Sequence, residues 1–125
     1  PFTILYPTGV KQESNSQKYI RYYQAADIIA GDYLYIKKYM PEVLEGKIIL
    51  TNTVTPTDIE ELRRRGAKML VTSTPEIAGR SFGTNVMEAL LVSFSGQTPD
   101  TLSNEDYERL LDKLEFRPRV LELNA

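Results

Sequence analysis

Three short apolar runs, each ending at or just before a hydrogen-bonding side chain and followed by a helical segment, constrain this chain more than any other feature. They are Asp27 to Gly31 (DIIAG), Lys47 to Thr51 (KIILT) and Lys68 to Thr72 (KMLVT). Each has the length of a strand and not of a helix. Apolar runs without alternation belong to strands buried on both faces, as in parallel sheets. The segments between them read as helices. Asp32 caps one from Tyr33 to Met40, and Pro41 stops it, because proline disfavours helix at the preceding residue. Thr55 caps the next, with Pro56 at its first position and Asp58 at the positive end of its dipole. Arg63-Arg64-Arg65 complement the opposite end, and Gly66 stops it.

Strands alternating with helices imply parallel pairing and right-handed crossovers. The expected fold is therefore α/β: a small three-layer Rossmann-like domain, with a parallel sheet of three to four strands and helices on both faces. The flanks follow the same rules. Phe2 to Tyr6 (FTILY) is apolar and closed by Pro7-Thr8-Gly9, so it is either an edge strand or the tail of an upstream helix. Ser16 caps a helix from Gln17 to about Ala25, with Tyr19, Ile20, Tyr23 and Ala26 at helical spacing. A polar turn after the third strand leads into a helix with an apolar stripe of Val86, Leu90, Leu91 and Phe94, ended by Gly96. Ser103 caps the last helix, and Arg119 to Leu123 is a final strand or an extended tail.

No repeat, low-complexity segment or linker interrupts the sequence, so residues 1–125 are expected to form one domain. The chain opens Pro1-Phe2-Thr3, without an initiator methionine or a signal-peptide pattern. It reads as the C-terminal fragment of a longer protein, inactive alone, with its own N-terminal domain as a partner.

Composition narrows the chemistry. There is no cysteine and no histidine, so disulfides, thiol catalysis, a Ser-His-Asp mechanism and cysteine or histidine metal sites are absent from this sequence. Acid–base work would fall to Asp, Glu, Lys or Tyr, with Lys11 or Lys37 as the candidate lysine for proton transfer. A net charge of −2 gives no basic footprint, so nucleic acid is not an expected partner. No apolar run is long enough to span a bilayer. A cytoplasmic protein is expected, with no membrane partner, no metal and a homo-oligomer as one option.

In an open α/β sheet, ligands collect where strands end and helices begin. Gly31-Asp32, Thr51-Asn52-Thr53 and Thr72-Ser73-Thr74 all fall at the carboxyl ends of the expected strands. Together they would form a hydrogen-bonding rim for a polyol, a ribose or a phosphate, with Asp32 accepting from two sugar hydroxyls. The competing account is that Thr, Ser, Asn and Asp stand there as caps and turn formers. Beside them lies the turn Gly79-Arg80-Ser81-Phe82-Gly83-Thr84-Asn85. N–H groups around Gly83, Thr84 and Asn85 at a helix N-terminus suit an anion, with charge from Arg80 and hydroxyls from Ser81 and Thr84. Here the competing account is a capped helix and a surface Glu76–Arg80 pair. For Arg63-Arg64-Arg65 a helix C-terminus is a simpler reading than a phosphate patch. Packing explains the tyrosines at 19, 22, 23, 33, 35 and 39 better than base stacking does. Asp58, Glu60 and Glu61 suit a solvated first turn better than Mg²⁺, and Lys11 and Glu13 suit a solvated loop.

The stretches LYPTGVKQE, ADIIAGDYLYIKKYMPEVLEGKIILTNTVTPTD, RRRGAKMLVTSTPEIAGRSFGTNVMEALLV and LEFRPRVLELN resemble the C-terminal half of a prokaryotic family labelled quinate 5-dehydrogenase. The resemblance covers nearly the whole chain, and GRSFGTNVMEA is its most distinctive run. It implies an NAD- or NADP-dependent oxidoreductase acting on the C5 hydroxyl of quinate, with an N-terminal α/β half preceding this region. Gly79, Gly83 and Gly96 lack the G-x-G-x-x-G spacing of a dinucleotide fingerprint. Three functions are thus in view. The first is a domain of a quinate/shikimate-type dehydrogenase. The second is a non-catalytic module binding a phosphorylated or carboxylated small molecule at the strand ends and the 80–85 turn. The third is an interdomain or oligomer interaction domain.

Overall fold

Ile29, Ile49, Leu70 and Leu121 stand side by side in register across four neighbouring strands. A computed structural model of the chain describes residues 19–125. Its elements, in order, are α1 (residues 19–25), β1 (Ile28–Ala30), α2 (Tyr33–Tyr39), β2 (Ile48–Thr51), α3 (Pro56–Arg64) and β3 (Met69–Thr72). Then come β4 (Glu76–Ile77), β5 (Arg80–Ser81), α4 (Thr84–Ser95), a 3₁₀ turn (Pro99–Thr101), α5 (Asn104–Lys113) and β6 (Arg119–Glu122). The main sheet has the order β1-β2-β3-β6, and β4-β5 form a separate hairpin.

The local signals place the elements where the sequence puts them. Asp32 accepts from the Leu34 amide at 2.9 Å and starts α2. Thr55 and Asp58 form a reciprocal capping box on α3, and Ser103 and Asp106 form another on α5. Such caps are worth about 1 kcal/mol each. Gly96 ends α4 with φ 68, in the left-handed region that glycine enters without a Cβ clash.

The sheet buries one face. Ile29, Ile49 and Leu70 pack against Tyr33 and Ile36 of α2 and Ile59 and Leu62 of α3. Full burial of side chains this size contributes about 1.5–3 kcal/mol each. The strap that closes this core comes from the arginines at the C-terminal end of α3. Arg63 donates to the Leu123 carbonyl at 2.6 Å, and Arg65 to the Pro41 carbonyl at 2.8 Å. These side chains tie down β6 and the α2–β2 loop; they do not form an anion patch.

Two expectations need correction. First, the sheet is mixed: β1, β2 and β3 are parallel, but β6 runs antiparallel to β3. The reason is the number of passes between them. One helix returns the chain to the start of the next strand, as α2 and α3 do. Two helices, α4 and α5, separate β3 from β6, and they bring the chain back to the edge where β3 ended. Arg119 therefore pairs with Thr72. Second, the apolar strands are not buried on both faces among the described residues. Ile28 is 57% exposed, Leu50 41% and Val120 64%. Leu50 and Val120 share one row across the sheet with Ala30 and Val71. A continuous apolar run calls for cover on both sides, and α2 and α3 supply only one.

The β4-β5 hairpin is an addition that the sequence reading lacks. Its turn residues Ala78 and Gly79 both have positive φ, 51 and 79, as a type I′ turn requires. The signal is weak because each arm has two residues and alanine stands where asparagine is usual. Residues 1–18, with the Phe2–Tyr6 segment, the Ser16 cap, Lys11 and Glu13, lie outside the described residues. Among those described, no helix is long and apolar enough to cross a membrane.

Candidate functional site

The strand ends do converge on one edge, as expected, but most of their hydroxyls are already committed. Thr51 is buried and donates to the Gly31 carbonyl at 2.7 Å. Thr72 is fully buried and donates to the Thr74 carbonyl at 2.6 Å. Ser81, also buried, donates to Thr72 Oγ1 at 3.1 Å. Thr74 donates to the Phe82 carbonyl at 2.7 Å. Thr72, Thr74 and Ser81 hold the hairpin against the sheet, Thr51 ties β2 to the end of β1, and all four hydroxyls donate within the protein. The hairpin is completed by a bridge between Val54 and Ser81.

The remaining candidates separate. Asp32 is exposed and serves as the α2 cap. Asn52 accepts from the amide of its neighbour Thr53 at 2.6 Å, a contact within its own loop. Arg80 is exposed, with its guanidinium 5.7 Å from the Phe82 ring centroid. Ser73, Thr84 and Asn85 are exposed. The N-cap of α4 is Gly83, which offers no side-chain acceptor. The first N–H groups of that helix are left to solvent or to a ligand.

Ser73, Thr74 and Thr84 meet again in a cleft of about 510 Å³ between the end of β3, α4 and α5. Its wall is apolar, built from Met87 and Leu91 of α4 and Tyr107, Leu111 and Phe116 from α5 and beyond. Its polar groups are Ser73, Thr84 and Asn104, with the carboxylates Glu88 and Glu108. An apolar body with a few convergent polar groups is the usual make-up of a small-molecule site. The α5 contribution is absent from the sequence reading. Its signal is the pairing of two apolar stripes, Met87 with Leu91 and Tyr107 with Leu111, at i,i+4 spacing on consecutive helices.

A family model described as Domain of unknown function (DUF8754) matches residues 1–123. The chain belongs to that family. No curated protein and no solved structure matches it.

The titratable cluster of this DUF8754 domain lies elsewhere, on α2 and α3. Lys37 Nζ sits 2.7 Å from Asp58 Oδ1 and 3.3 Å from Glu61 Oε2. Burial by itself raises the Asp58 pKa, but hydrogen bonds from Lys37 and Thr55 outweigh it and hold the carboxyl below its ordinary value. The hydrogen bond to Arg65 lowers that of Glu61 against a smaller effect of burial, with Lys37 helping. Lys37 in turn is raised, chiefly by its hydrogen bond to Asp58. A lysine held protonated in this way is a poor base. Among the described residues no group of acidic side chains has the arrangement of a metal site.

One further cation stands at the carboxyl edge. Arg119 donates through Nη2 to Glu76 at 2.9 Å, and its Nη1 is buried without a partner among the described residues.

Proposed function

We propose that this domain binds a small polyhydroxylated carboxylate in the cleft between β3, α4 and α5. The observation that carries this reading is the junction of that cleft with the glycine-capped N-terminus of α4. A ligand carboxylate at this N-terminus takes the free N–H groups around Thr84, with the helix dipole favouring its charge. Ring hydroxyls donate to Glu88 and Glu108, and the ring's C–H face lies on Met87, Leu91 and Phe116. Carboxylates on the wall are suited to hydroxyl donors and opposed to a second anionic group.

Quinate is a ligand of this class, so the resemblance to the quinate 5-dehydrogenase family gives the reading its name: the substrate-holding part of an NAD- or NADP-dependent oxidoreductase. The described residues do not themselves fit the dinucleotide. The turn after β1 is only Gly31-Asp32 and is spent on capping α2, and the hydroxyls of Thr51 and Thr72 are spent internally. In this reading the cofactor belongs to the upstream half. The absence of cysteine accords with a cytoplasmic setting. The exposed apolar row on the second sheet face favours a partner there as well: we take it to be the upstream half, which would complete the Rossmann-like three-layer form.

Titration of the chain with quinate, shikimate and inorganic phosphate, followed by amide chemical shifts, tests the proposal. Quinate is expected to shift Ser73, Thr84 and Asn104 together, and Leu91→Trp to abolish the effect by filling the cleft. Shifts elsewhere, or none with any of the three, would remove it.

A further inference from the structure

Helix α4 has two apolar sides, and only one of them is covered. Met87 and Leu91 are buried on the side that walls the cleft. Val86, Leu90 and Phe94 form a second stripe at i,i+4 spacing, and all three are exposed, Phe94 by 64%. Ala89 and Ser93, also exposed, flank the stripe. The helix carries one charge, Glu88, which lies on the opposite side from the stripe and lines the cleft. A helix with solvent on its outer side ordinarily places charges there, and one that is apolar all round is covered. Helix α5 follows the ordinary rule, with Glu105, Arg109, Asp112 and Lys113 all exposed. The outer side of α4 therefore has the make-up of an interface.

Its composition points to a second copy of this chain. In a two-fold contact a residue near the axis meets its own counterpart, so a charge there repels itself. This stripe has none. The side chains also match in size when two such helices run antiparallel about Leu90. Leu90 then meets Leu90, and Val86 of each copy meets Phe94 of the other, so the layers hold similar volumes. A parallel pair would set Phe94 on Phe94 at one end and Val86 on Val86 at the other, and the helices would splay. Ala89 and Ser93 are small enough to let the axes approach to the roughly 8–10 Å of packed helices. The flanking charges fit the same arrangement. Arg80 stands before α4 and Asp100 after it, both exposed and without an ion-pair partner among the described residues. Antiparallel packing brings the Arg80 end of one copy to the Asp100 end of the other, twice over. A lipid surface fits less well, because an interfacial helix carries Lys or Arg beside its apolar side and α4 has neither.

We infer that α4 joins two copies of this chain in a two-fold, antiparallel helix pair centred on Leu90. A single pair of 12-residue helices buries less than the about 1,200–2,000 Å² of a standard interface, so the dimer is weak and reversible. The contact uses the side of α4 turned away from the cleft, and the inference stands apart from the ligand reading.

Sedimentation equilibrium of the chain between about 10 µM and about 1 mM tests it. The mass is expected to rise from one chain towards two. Leu90→Lys sets like charges against each other at the axis and is expected to weaken association at least about tenfold, with an unchanged circular dichroism spectrum. Arg80→Glu and Asp100→Lys are each expected to weaken it at least about threefold, and the two together to restore it. The mass of a single chain at the highest concentration would overturn the inference and leave the stripe to the upstream half or to another protein. A dimer that Leu90→Lys leaves intact would overturn it as well. So would a double variant that associates no better than either single one.

Discussion

The Ser81 hydroxyl donates to Thr72 Oγ1 across 3.1 Å, and both side chains are buried. Thr72 passes the chain of hydrogen bonds on to the Thr74 carbonyl. A strand-end residue that suggests a ligand contact in the sequence is thus the anchor of the hairpin that leads into the cleft.

Removing that anchor has a defined cost. Thr72→Val keeps the shape but leaves the Ser81 hydroxyl and the Thr74 carbonyl unpaired in a buried place. The expected loss is about 1–3 kcal/mol in urea unfolding, whereas Thr72→Ser retains most of the stability. A loss below about 0.5 kcal/mol would mean that water reaches these groups.

The hairpin turn offers a gain. Ala78 holds φ 51 without the local hydrogen bonding that asparagine brings to this region. Ala78→Asn should stabilise the domain by about 0.5–1 kcal/mol, seen as a raised denaturation midpoint with an unchanged slope. An unchanged midpoint would show that the hairpin opens before the rest unfolds.

Acid should weaken the α2–α3 contact. Asp58 and Glu61 have folded pKa values below their ordinary ones. Each therefore adds stability that is present above the unfolded value, about 4, and lost as pH falls through the lower folded value. Stability measured from pH 6 downward should decline from about pH 4, and Asp58→Asn should flatten part of that decline. An equal slope in the variant would show that Asp58 does not carry the acid sensitivity.

The glycine cap of α4 separates stability from binding. In Gly83→Asp the new carboxylate accepts from the first-turn amides and occupies the proposed anion position. A Cβ there would stand 3.3 Å from Thr53 Oγ1, a contact that a small side-chain shift relieves. Stability should change by no more than about 0.5 kcal/mol, while affinity for a carboxylate ligand falls at least about tenfold, measured by calorimetry. Undiminished affinity would place the ligand's charge elsewhere.

The sequence by itself determined the helix starts at Thr55 and Ser103, the stop at Gly96 and the three parallel strands. These depend on contacts within three or four residues or on the length of an apolar run, and both are written locally. It also placed Ser73, Thr74 and Thr84 near one another, because strand ends in a parallel sheet share an edge.

Only the tertiary structure decided the rest. The direction of β6 follows from how many helices precede it, and that direction alone brings Arg119 beside Thr72. Whether a threonine hydroxyl is free or spent depends on what packs above it, and for Thr51 and Thr72 the partners are Gly31 and the hairpin. The cleft needed α5 folded back on α4, a meeting of residues far apart in sequence. A polar side chain carries the same local signal whether it caps, anchors or binds, and only its neighbours in space distinguish the three.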